Sequence, residues 1–460
     1  MIMEWEKLLS TKRPKYLQKE QEGSKVSGDK RTPFDQDFDR IIFSTPFRRL
    51  QDKTQVFPLE PNDSVRTRLT HSLEVSHAAR GLAKDVCSWM LEKQHIDTGQ
   101  AKDIETIAAA CGLVHDLGNP PFGHSGEVAI RDWFARQSTG ENALKGLDNS
   151  LADDFHNFEG NAQTLRLVAK LQILADYHGL NLTCGTMSAA CKYVASSENM
   201  DKKVHDLSKL GYFNSEKSLV EQIRTITGTR NSRNPITFLV EAADDAVYNT
   251  VDIEDGFKKR ILDWALIKDE LKKEAGNDQL LKDVFKWAEE RVDKADVSFQ
   301  GHAREGALVQ YFRVRAIGQI ITSAAKVFQD NYAAIMAGKY HGELVEDSKA
   351  KVLLNACKTL NRSRVYCSEE TLKLELMGRK IIWDLMDLFW EGVREIPPRE
   401  NSFAKKAYNL LSDNYISVFK QAIENPAMPE KYYQIQLVTD YICGMTDTFA
   451  VELHRRLVNG

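Results

Sequence analysis

Long apolar runs are missing from this 460-residue sequence, and no stretch reaches the roughly 20 residues that a membrane-spanning helix needs. The first residues, Met1 to Glu6, lack the basic start of a secretory signal. The seven cysteines include no Cys-x-x-Cys pair, which argues against a disulfide framework and against a zinc ribbon. We therefore expect a cytoplasmic protein with reduced thiols and no membrane partner.

A large excess of charge is also missing, because 62 Lys and Arg residues are matched by 66 Asp and Glu residues, which gives a net charge of −4. This balance argues against global attraction to nucleic acid, so an anionic ligand must meet local basic residues. Proline is scarce, and its twelve residues leave two long gaps, from Pro121 to Pro235 and from Pro235 to Pro397. The Val- and Ile-rich pieces fit a period near 3.6. The sequence therefore predicts an all-α fold.

One stretch, 111–127, combines most of the residues that can carry chemistry. It contains an adjacent His115-Asp116 pair at the end of an apolar run with helical spacing. A glycine and two prolines then end that helix, because proline lacks an amide donor. His124 and Glu127 follow at a spacing of three, so a second helix starting after the prolines would bring them together. This pattern suggests a metal-centred hydrolase.

Two distant segments offer further ligands. His71 opens an apolar stripe of helical period, a position that a satisfied core histidine often occupies. Asp244, Tyr248 and Asp252 recur every four residues on an otherwise apolar helix. Burial of an unpartnered carboxylate costs roughly several kcal/mol, so metal coordination explains these acids better than packing does. Each residue alone has a purely structural explanation, but their combination favours a metal site.

The order of His71, His115-Asp116 and Asp244 matches the H…HD…D signature, and the chain thus resembles HD-domain phosphohydrolases. More narrowly, it resembles the bacterial deoxyguanosine triphosphate triphosphohydrolases. The resembling blocks are 39–57, 66–75, 115–127, 158–163, 241–245 and 440–447. The resemblance implies these four residues as metal ligands. It also implies one domain over 1–460, an HD helical core elaborated by N- and C-terminal helices, with the core at about 66–255 and a helical C-terminal region at about 256–460.

The resemblance also implies substrate contacts in three segments. Gln51 corresponds to a glutamine near the deoxyribose, and Arg68 to an arginine near the phosphates. Lys192 corresponds to a lysine that approaches the phosphates, within a Lys-Tyr-Pro element whose proline is replaced here by Val194. The block at 158–163 implies that Glu159 and Asn161 support the active-site wall.

Sugar selection is expected from the helix that carries Asp244. Tyr248 and Asp252 lie one and two helical turns further along the same face, so both should line the pocket that extends from the metal. A phenol packed under the sugar leaves no room for a 2′-hydroxyl, whereas a carboxylate or an amide can hold the 3′-hydroxyl. The family resemblance implies a similar duty for these positions.

The predicted chemistry follows from the ligand types. Two histidines and two aspartates suit Mn²⁺ or Mg²⁺, with Fe²⁺ or Zn²⁺ as alternatives. Such an ion increases the acidity of a water and polarises a phosphate. The leaving oxygen still needs a proton, and His124, held by Glu127, is the candidate general acid, although the pair could also be a structural hydrogen bond. In the resembling family, attack on the α-phosphorus releases a deoxynucleoside and tripolyphosphate.

Two alternative hypotheses stay open. One is another HD-type nucleotide phosphohydrolase, and the other is a non-catalytic sensor of nucleotides or single-stranded nucleic acid. The complete ligand set and the His124-Glu127 pair argue against a degenerate sensor. The resemblance further implies a deoxynucleoside triphosphate substrate, with dGTP favoured, and a homo-oligomer, a hexamer in the family. It also leaves room for an effector, either a deoxynucleoside triphosphate or single-stranded DNA.

Overall fold

A computed structural model describes residues 2–17, 28–136, 143–172, 176–295 and 300–458. Within these ranges the chain forms helices and no β-strand, apart from two isolated bridges, Thr54 to Thr67 and Ala195 to Leu210. The predicted all-α fold, an HD core with additional helices, is therefore confirmed. None of the helices in these ranges is long and apolar enough to cross a membrane.

The helices are numbered in chain order. The first six are α1 (Trp5–Leu8), α2 (Pro33–Ile42), α3 (Thr45–Arg49), α4 (Arg68–Glu92), α5 (Thr98–Val114) and α6 (Gly123–Ala135). The next five are α7 (Asn149–His156), α8 (Gly160–Arg166), α9 (Cys184–Ala190), α10 (Lys217–Thr227) and α11 (Pro235–Lys258). Short turns of other helix types link them, including a π-helix over Leu167–Leu171.

The C-terminal half continues the helical pattern. Its helices are α12 (Trp264–Ala275), α13 (Gln279–Asp293), α14 (Gly301–Asp330), α15 (Tyr332–Met336) and α16 (Lys351–Leu360), followed by α17 (Glu369–Val393), α18 (Phe403–Tyr408), α19 (Asp413–Glu424), α20 (Glu430–Cys443) and α21 (Asp447–Val458). A second π-helix, Asn361–Val365, directly follows α16.

The three helices that supply the predicted ligands pack against one another. Helix α4 lies along α5, and α11 packs on both. The approach of α4 to α5 is very close, because a Cβ atom on Gly112 would lie 2.5 Å from the Cα atom of Ser76. The Ser76 hydroxyl donates to the Ala109 carbonyl at 2.8 Å across the same contact. Packing at glycine and serine thus brings the first turn of α4 beside the end of α5.

Local sequence explains where these helices begin. Thr67 and Thr70 accept hydrogen bonds from each other's backbone N–H groups, a capping box that starts α4. Asp97 accepts from two backbone N–H groups at the start of α5. Asn234 caps α11, and Pro235 occupies its first position, where the missing amide donor costs nothing. The site helices are therefore defined by strong local signals.

Two of the buried apolar clusters pack the helices that carry the site. The larger one combines α4, α5, α11 and α14, and the other combines α6 with α17 and α20. Helix α17 packs along α6, α18, α20 and α21. Both clusters combine residues from before and after position 255, so the predicted core at 66–255 and the region at 256–460 share their interiors.

Candidate metal centre and active site

Side chains from α4, α5 and α11 converge on one point. The Nε2 atom of His71 lies 3.1 Å from Oδ1 of Asp244, and the Nε2 atom of His115 lies 3.6 Å from the same oxygen. One ligand atom from each of these three residues lies within 4.8 Å of the others. His71 is buried, while the other two are half-buried. Three of the four predicted ligands therefore surround a space that a metal ion could fill.

Hydrogen bonds orient these ligands. The Nδ1 atom of His115 lies 2.8 Å from the carbonyl of Gly112, so Nδ1–H is the donor and Nε2 is turned toward Asp244. That Nε2 atom is buried and has no hydrogen-bond partner within the described part of the chain. A buried ring nitrogen without a hydrogen-bond partner is what a metal-binding histidine would show before its ligand is bound.

The remaining predicted ligand, Asp116, lies at the edge of this group. Its Oδ2 atom is 3.4 Å from His115 Nε2 and accepts a hydrogen bond from Arg68 at 2.5 Å. Its Oδ1 atom accepts from the side-chain amide of Asn119 at 2.7 Å. The guanidinium of Arg68 is among the groups that hold the pKa of Asp116 well below its ordinary value despite burial. Asp116 is therefore an anion beside the three convergent ligands.

The charges of the site are coupled. Burial alone would lower the pKa of His115, but the carboxylates of Asp116 and Asp244 outweigh it and raise that pKa to about 9. Burial opposes ionisation of Asp244, yet the two histidines keep its pKa below the ordinary value. A divalent cation would fit the same donor set, since nitrogen and carboxylate oxygen atoms are its usual ligands.

A cavity of about 180 Å³ opens beside these ligands, and we call it the metal cavity. Its lining includes His115, Asp116 and Asp244, together with Arg68, Asn119, His124, Glu127, Glu159, Asn161, Lys192 and Glu241. The two predicted phosphate-binding cations, Arg68 and Lys192, therefore face the same space. Burial disfavours the charged form of Lys192, but Tyr193 and the carboxylates of Glu241 and Asp244 hold its pKa well above the ordinary value. The metal cavity thus combines the predicted metal ligands with two cationic side chains among several carboxylates.

His124 and Glu127 lie on one face of α6. The Nδ1 atom of His124 is 3.0 Å from Oε2 of Glu127. The side chain of His124 is 75% exposed, whereas Glu127 is buried and accepts a second hydrogen bond from the backbone N–H of Gly160 at 2.8 Å. The His124 hydrogen bond outweighs burial and lowers the pKa of Glu127. A fixed carboxylate thus supports an accessible imidazole.

A second cavity of about 440 Å³ lies on the other side of His124, and we call it the Tyr248 cavity. Its lining includes Gln55, Phe122, His124, Asp245, Tyr248, Asn249, Lys358, Arg362, Tyr366 and Glu375. His124 lines both cavities. The imidazole therefore stands between the compartment at the predicted ligands and a larger one that is lined by aromatic, amide and charged groups.

The structure separates the predicted sugar residues. Tyr248 lines the Tyr248 cavity, but Asp252 is fully buried behind it and lines neither of the two. The hydroxyl of Tyr366 donates to Oδ2 of Asp252 at 2.5 Å, and the rings of Tyr248 and Tyr366 lie 6.4 Å apart. Burial raises the pKa of Asp252 well above its ordinary value. Asp252 therefore influences the Tyr248 cavity only indirectly, by its hydrogen bond to Tyr366, which lines that cavity.

Gln51 lies in a short 3₁₀ turn, is exposed, and lines neither cavity. Gln55, four residues later, lines the Tyr248 cavity, and its buried Oε1 atom has no hydrogen-bond partner among the described residues. In the sequence, Gln55 stands out only as the second glutamine of a Gln-x-x-x-Gln pattern that begins at Gln51. Which of the two glutamines faces the cavity depends on the turn between them, and residue order does not reveal that geometry.

A buried ionic network behind Lys192 was not predicted. Glu241, one turn before Asp244 on α11, accepts hydrogen bonds from Arg233 at 2.6 Å and from His205 at 2.8 Å. Lys192 Nζ lies 3.6 Å from the same carboxylate. Burial alone would lower the pKa of His205, but its hydrogen bonds to Glu241 and Glu343 raise that pKa to about 9. These residues are far apart in sequence, so local patterns carry no signal for them.

Family comparisons agree with this geometry. An HD domain model matches residues 68–176, which include the first three ligands, and a phosphohydrolase-associated domain model matches residues 346–456. The fold and the site define an HD-domain hydrolase.

Curated relatives extend the similarity to nearly the whole chain. The chain is 38% identical to a deoxyguanosinetriphosphate triphosphohydrolase-like protein of Listeria monocytogenes, over 99% of both chains. It is 35% identical to a protein of the same name from Synechocystis, again over 99% of both. It is 32% identical to a deoxyguanosinetriphosphate triphosphohydrolase of Klebsiella pneumoniae, over 92% of this chain and 93% of the relative. The chain therefore belongs to the deoxyguanosinetriphosphate triphosphohydrolase family, which confirms the resemblance predicted from its motifs.

Proposed function

We propose that this protein hydrolyses deoxynucleoside triphosphates, with dGTP preferred, at the α-phosphorus, and releases a deoxynucleoside and tripolyphosphate. The observation that carries the proposal is that His124 lines both cavities. A proton donor placed between a phosphate compartment and a nucleoside compartment can serve the oxygen that joins them. That oxygen is the 5′-oxygen of the substrate, the leaving group of attack at the α-phosphorus.

In this proposal, His71, His115, Asp116 and Asp244 would hold a divalent cation, with Mn²⁺ or Mg²⁺ preferred and Fe²⁺ or Zn²⁺ as alternatives. A bound ion supplies Lewis acidity toward a phosphate oxygen and makes a water more acidic. The buried, partnerless Nε2 atom of His115 supports this assignment. Asn119 and Arg68 orient Asp116 through its two carboxylate oxygens.

Arg68 and Lys192 would bind the triphosphate in the metal cavity. Both side chains line it, and Arg68 already pairs with Asp116. Glu241 is the carboxylate beside Lys192, and it also forms ion pairs with Arg233 and His205. These two partners largely neutralise its charge. Lys192 therefore keeps positive charge for an anionic ligand.

His124 would act as the general acid. The Glu127 carboxylate accepts a hydrogen bond from Nδ1–H and so orients the ring. The opposite ring nitrogen, Nε2, then donates its proton to the leaving 5′-oxygen as the bond to phosphorus breaks. The deoxynucleoside leaves neutral, which avoids a free alkoxide.

The deoxynucleoside would occupy the Tyr248 cavity. The Tyr248 ring would provide a face for the deoxyribose, and Gln55, whose Oε1 atom has no partner among the described residues, would hydrogen-bond a sugar hydroxyl. Asp252 would act indirectly, because its carboxylate accepts from Tyr366 and so holds that second ring in the wall.

Product analysis tests the proposal. The purified protein is incubated with dGTP, the other three deoxynucleoside triphosphates or GTP, each with Mn²⁺ or Mg²⁺. Phosphorus NMR and nucleoside chromatography should detect deoxyguanosine and tripolyphosphate in equal amounts, with the fastest turnover on dGTP. Orthophosphate or pyrophosphate as the product would indicate another HD-type phosphohydrolase. Nucleotide binding without turnover under any of these conditions would favour the sensor hypothesis.

The same preparation addresses assembly. A homo-oligomer, a hexamer in the resembling family, is expected, and mass photometry measures it directly. Added deoxynucleoside triphosphates or single-stranded DNA should be compared for activation of dGTP turnover. Without activation by either, the effector part of the prediction would be withdrawn.

A further inference from the structure

The turn between the metal ligands and His124 has an unusual backbone. Phe122 adopts φ +63°, in the left-handed region that residues with side chains rarely occupy. It immediately precedes Gly123 and His124, the first residues of α6, and its ring is buried at 3% exposure. Its conformation sets the direction in which α6 leaves the turn. A strained residue of this kind persists only where neighbouring groups hold it.

The first of these groups is Asp447, at the start of the last helix, α21. Its Oδ1 atom accepts a hydrogen bond from the backbone N–H of Phe122 at 2.9 Å. Its Oδ2 atom accepts from the backbone N–H of Thr54 at 3.0 Å and also from the Thr54 hydroxyl. Asp447 is only 1% exposed. All three groups donate to Asp447, so both of its side-chain oxygens act as acceptors. An asparagine at this position would have only one acceptor oxygen.

The second group is Gly378 on α17, which lies against the ring of the same phenylalanine. A Cβ atom at this position would lie 2.7 Å from the Cγ atom of Phe122. Helix α17 therefore confines the ring, while Asp447 confines the backbone. Gly378 and Asp447 both belong to the stretch 346–456 that matches the phosphohydrolase-associated domain.

We propose that Asp447 is a positioning residue for His124, and that this is one way in which the C-terminal region serves catalysis. Within the described part of the chain, Asp447 forms no hydrogen bond or ion pair with His124 or with a predicted metal ligand, and it acts through the Phe122 backbone. It also ties the Phe122 turn to Thr54, the neighbour of Gln55, so one carboxylate connects the acid to the wall of the Tyr248 cavity. The inference rests on the proposed role of His124 as general acid.

A double-mutant cycle tests the proposal. Asp447→Asn, which replaces one acceptor by a donor, should lower kcat on dGTP by at least about tenfold while bound metal and KM change less than twofold. In the His124→Ala background, Asp447→Asn should change kcat less than twofold, because no acid remains to be misplaced. Gly378→Ala disturbs Phe122 from the ring side and should behave in the same way, which covers the case in which Asp447→Asn does not fold.

Thr448→Val is the matched control. Thr448 follows Asp447 and donates from its hydroxyl to Asp52 at 2.8 Å, so it also ties α21 to the 50–54 segment but does not touch the turn. Its kcat should equal that of the unmodified protein. Equal losses from Asp447→Asn in both backgrounds, or loss of metal in parallel with kcat, would show a general structural role and overturn the proposal. An unchanged kcat in His124→Ala alone would instead refute the proposed acid.

Discussion

Glu127 is bonded through both of its carboxylate oxygens, with Oε2 at 3.0 Å from Nδ1 of His124 and Oε1 accepting from the N–H of Gly160 at 2.8 Å. A Cβ atom at position 160 would lie 2.4 Å from that Oε1 atom, so the close approach requires glycine. The first residue of α8 therefore fixes the carboxylate that orients the proposed acid on α6. The geometry of the His124-Glu127 pair thus depends on the start of α8 as well as on α6.

Removal of the acid should slow chemistry more than binding. His124→Ala is expected to lower kcat on dGTP by at least roughly a hundredfold, the loss typical of a positioned proton donor, with bound metal and nucleotide affinity largely retained. Glu127→Gln should give a smaller loss of the same kind, because an amide holds the His124 ring by a weaker hydrogen bond than a carboxylate does. Steady-state kinetics, metal analysis and nucleotide titration measure the three quantities. A kcat that does not change in His124→Ala would remove this residue from the mechanism.

Adjacent aspartates on α11 provide a matched pair for the metal assignment. Asp244 faces His71 and His115, whereas Asp245 lines the Tyr248 cavity 3.8 Å from Lys358. Asp244→Ala should abolish both stoichiometric metal and turnover, while Asp245→Ala should retain metal. Metal content by plasma mass spectrometry and turnover of dGTP are measured on the same preparations. Full metal and turnover in Asp244→Ala would defeat the ligand assignment and move it to Asp245.

Tyr248 should set the preference for deoxyribose. Its ring lines the Tyr248 cavity, so truncation opens space where a 2′-hydroxyl would otherwise clash. Tyr248→Ala is expected to reduce the ratio of kcat/KM for dGTP over GTP, and a loss of packing alone is worth about 1–3 kcal/mol. Tyr248→Phe, which keeps the ring, should preserve the ratio. Unchanged discrimination in Tyr248→Ala would show that the ring only packs and that the sugar gate lies elsewhere.

Gln51 and Gln55 are the two candidates for the sugar contact. The sequence predicts Gln51, whereas the structure favours Gln55. The resemblance assigns the sugar contact to Gln51, and Gln51→Ala is then expected to raise KM more than it lowers kcat. Because Gln55 lines the Tyr248 cavity with a partnerless oxygen, we expect that effect from Gln55→Ala instead, with Gln51→Ala close to the unmodified protein. Initial rates over a range of dGTP concentrations decide between them. A raised KM only in Gln51→Ala would restore the original assignment.

His205 should make stability depend on pH. Its bonds to Glu241 and Glu343 raise its pKa to about 9 in the folded state from an ordinary value near 6.5. The folded state therefore binds the proton more tightly, so this stabilisation is complete below pH 6.5 and is lost as the pH rises through 9. It is worth at most about 3 kcal/mol. Urea unfolding of the unmodified protein and His205→Gln should differ most at pH 6 and converge near pH 10. A difference that does not depend on pH would contradict the assignment.

Much of the fold and of the ligand set could be predicted from local sequence. Prolines, caps and a 3.6-residue period determine where α4, α5 and α11 begin, because these signals act between near neighbours. Residues at fixed helical spacing, such as His124 and Glu127, therefore meet whenever the helix forms. The family motifs extended this prediction to metal ligands in three separate segments.

Other features were decided only by tertiary structure. Helical phase places Asp252 on the face of Asp244, yet packing of the π-helix after α16 covers it with Tyr366 and keeps it out of the cavity. Gln55 rather than Gln51 reaches the cavity because a 3₁₀ turn and an extended residue lie between them. Asp447 accepts a hydrogen bond from Phe122 although the two residues are 325 positions apart in the sequence. Spacing along one helix is fixed by the sequence itself, whereas contacts between distant segments depend on how the helices pack, and no local pattern records that packing.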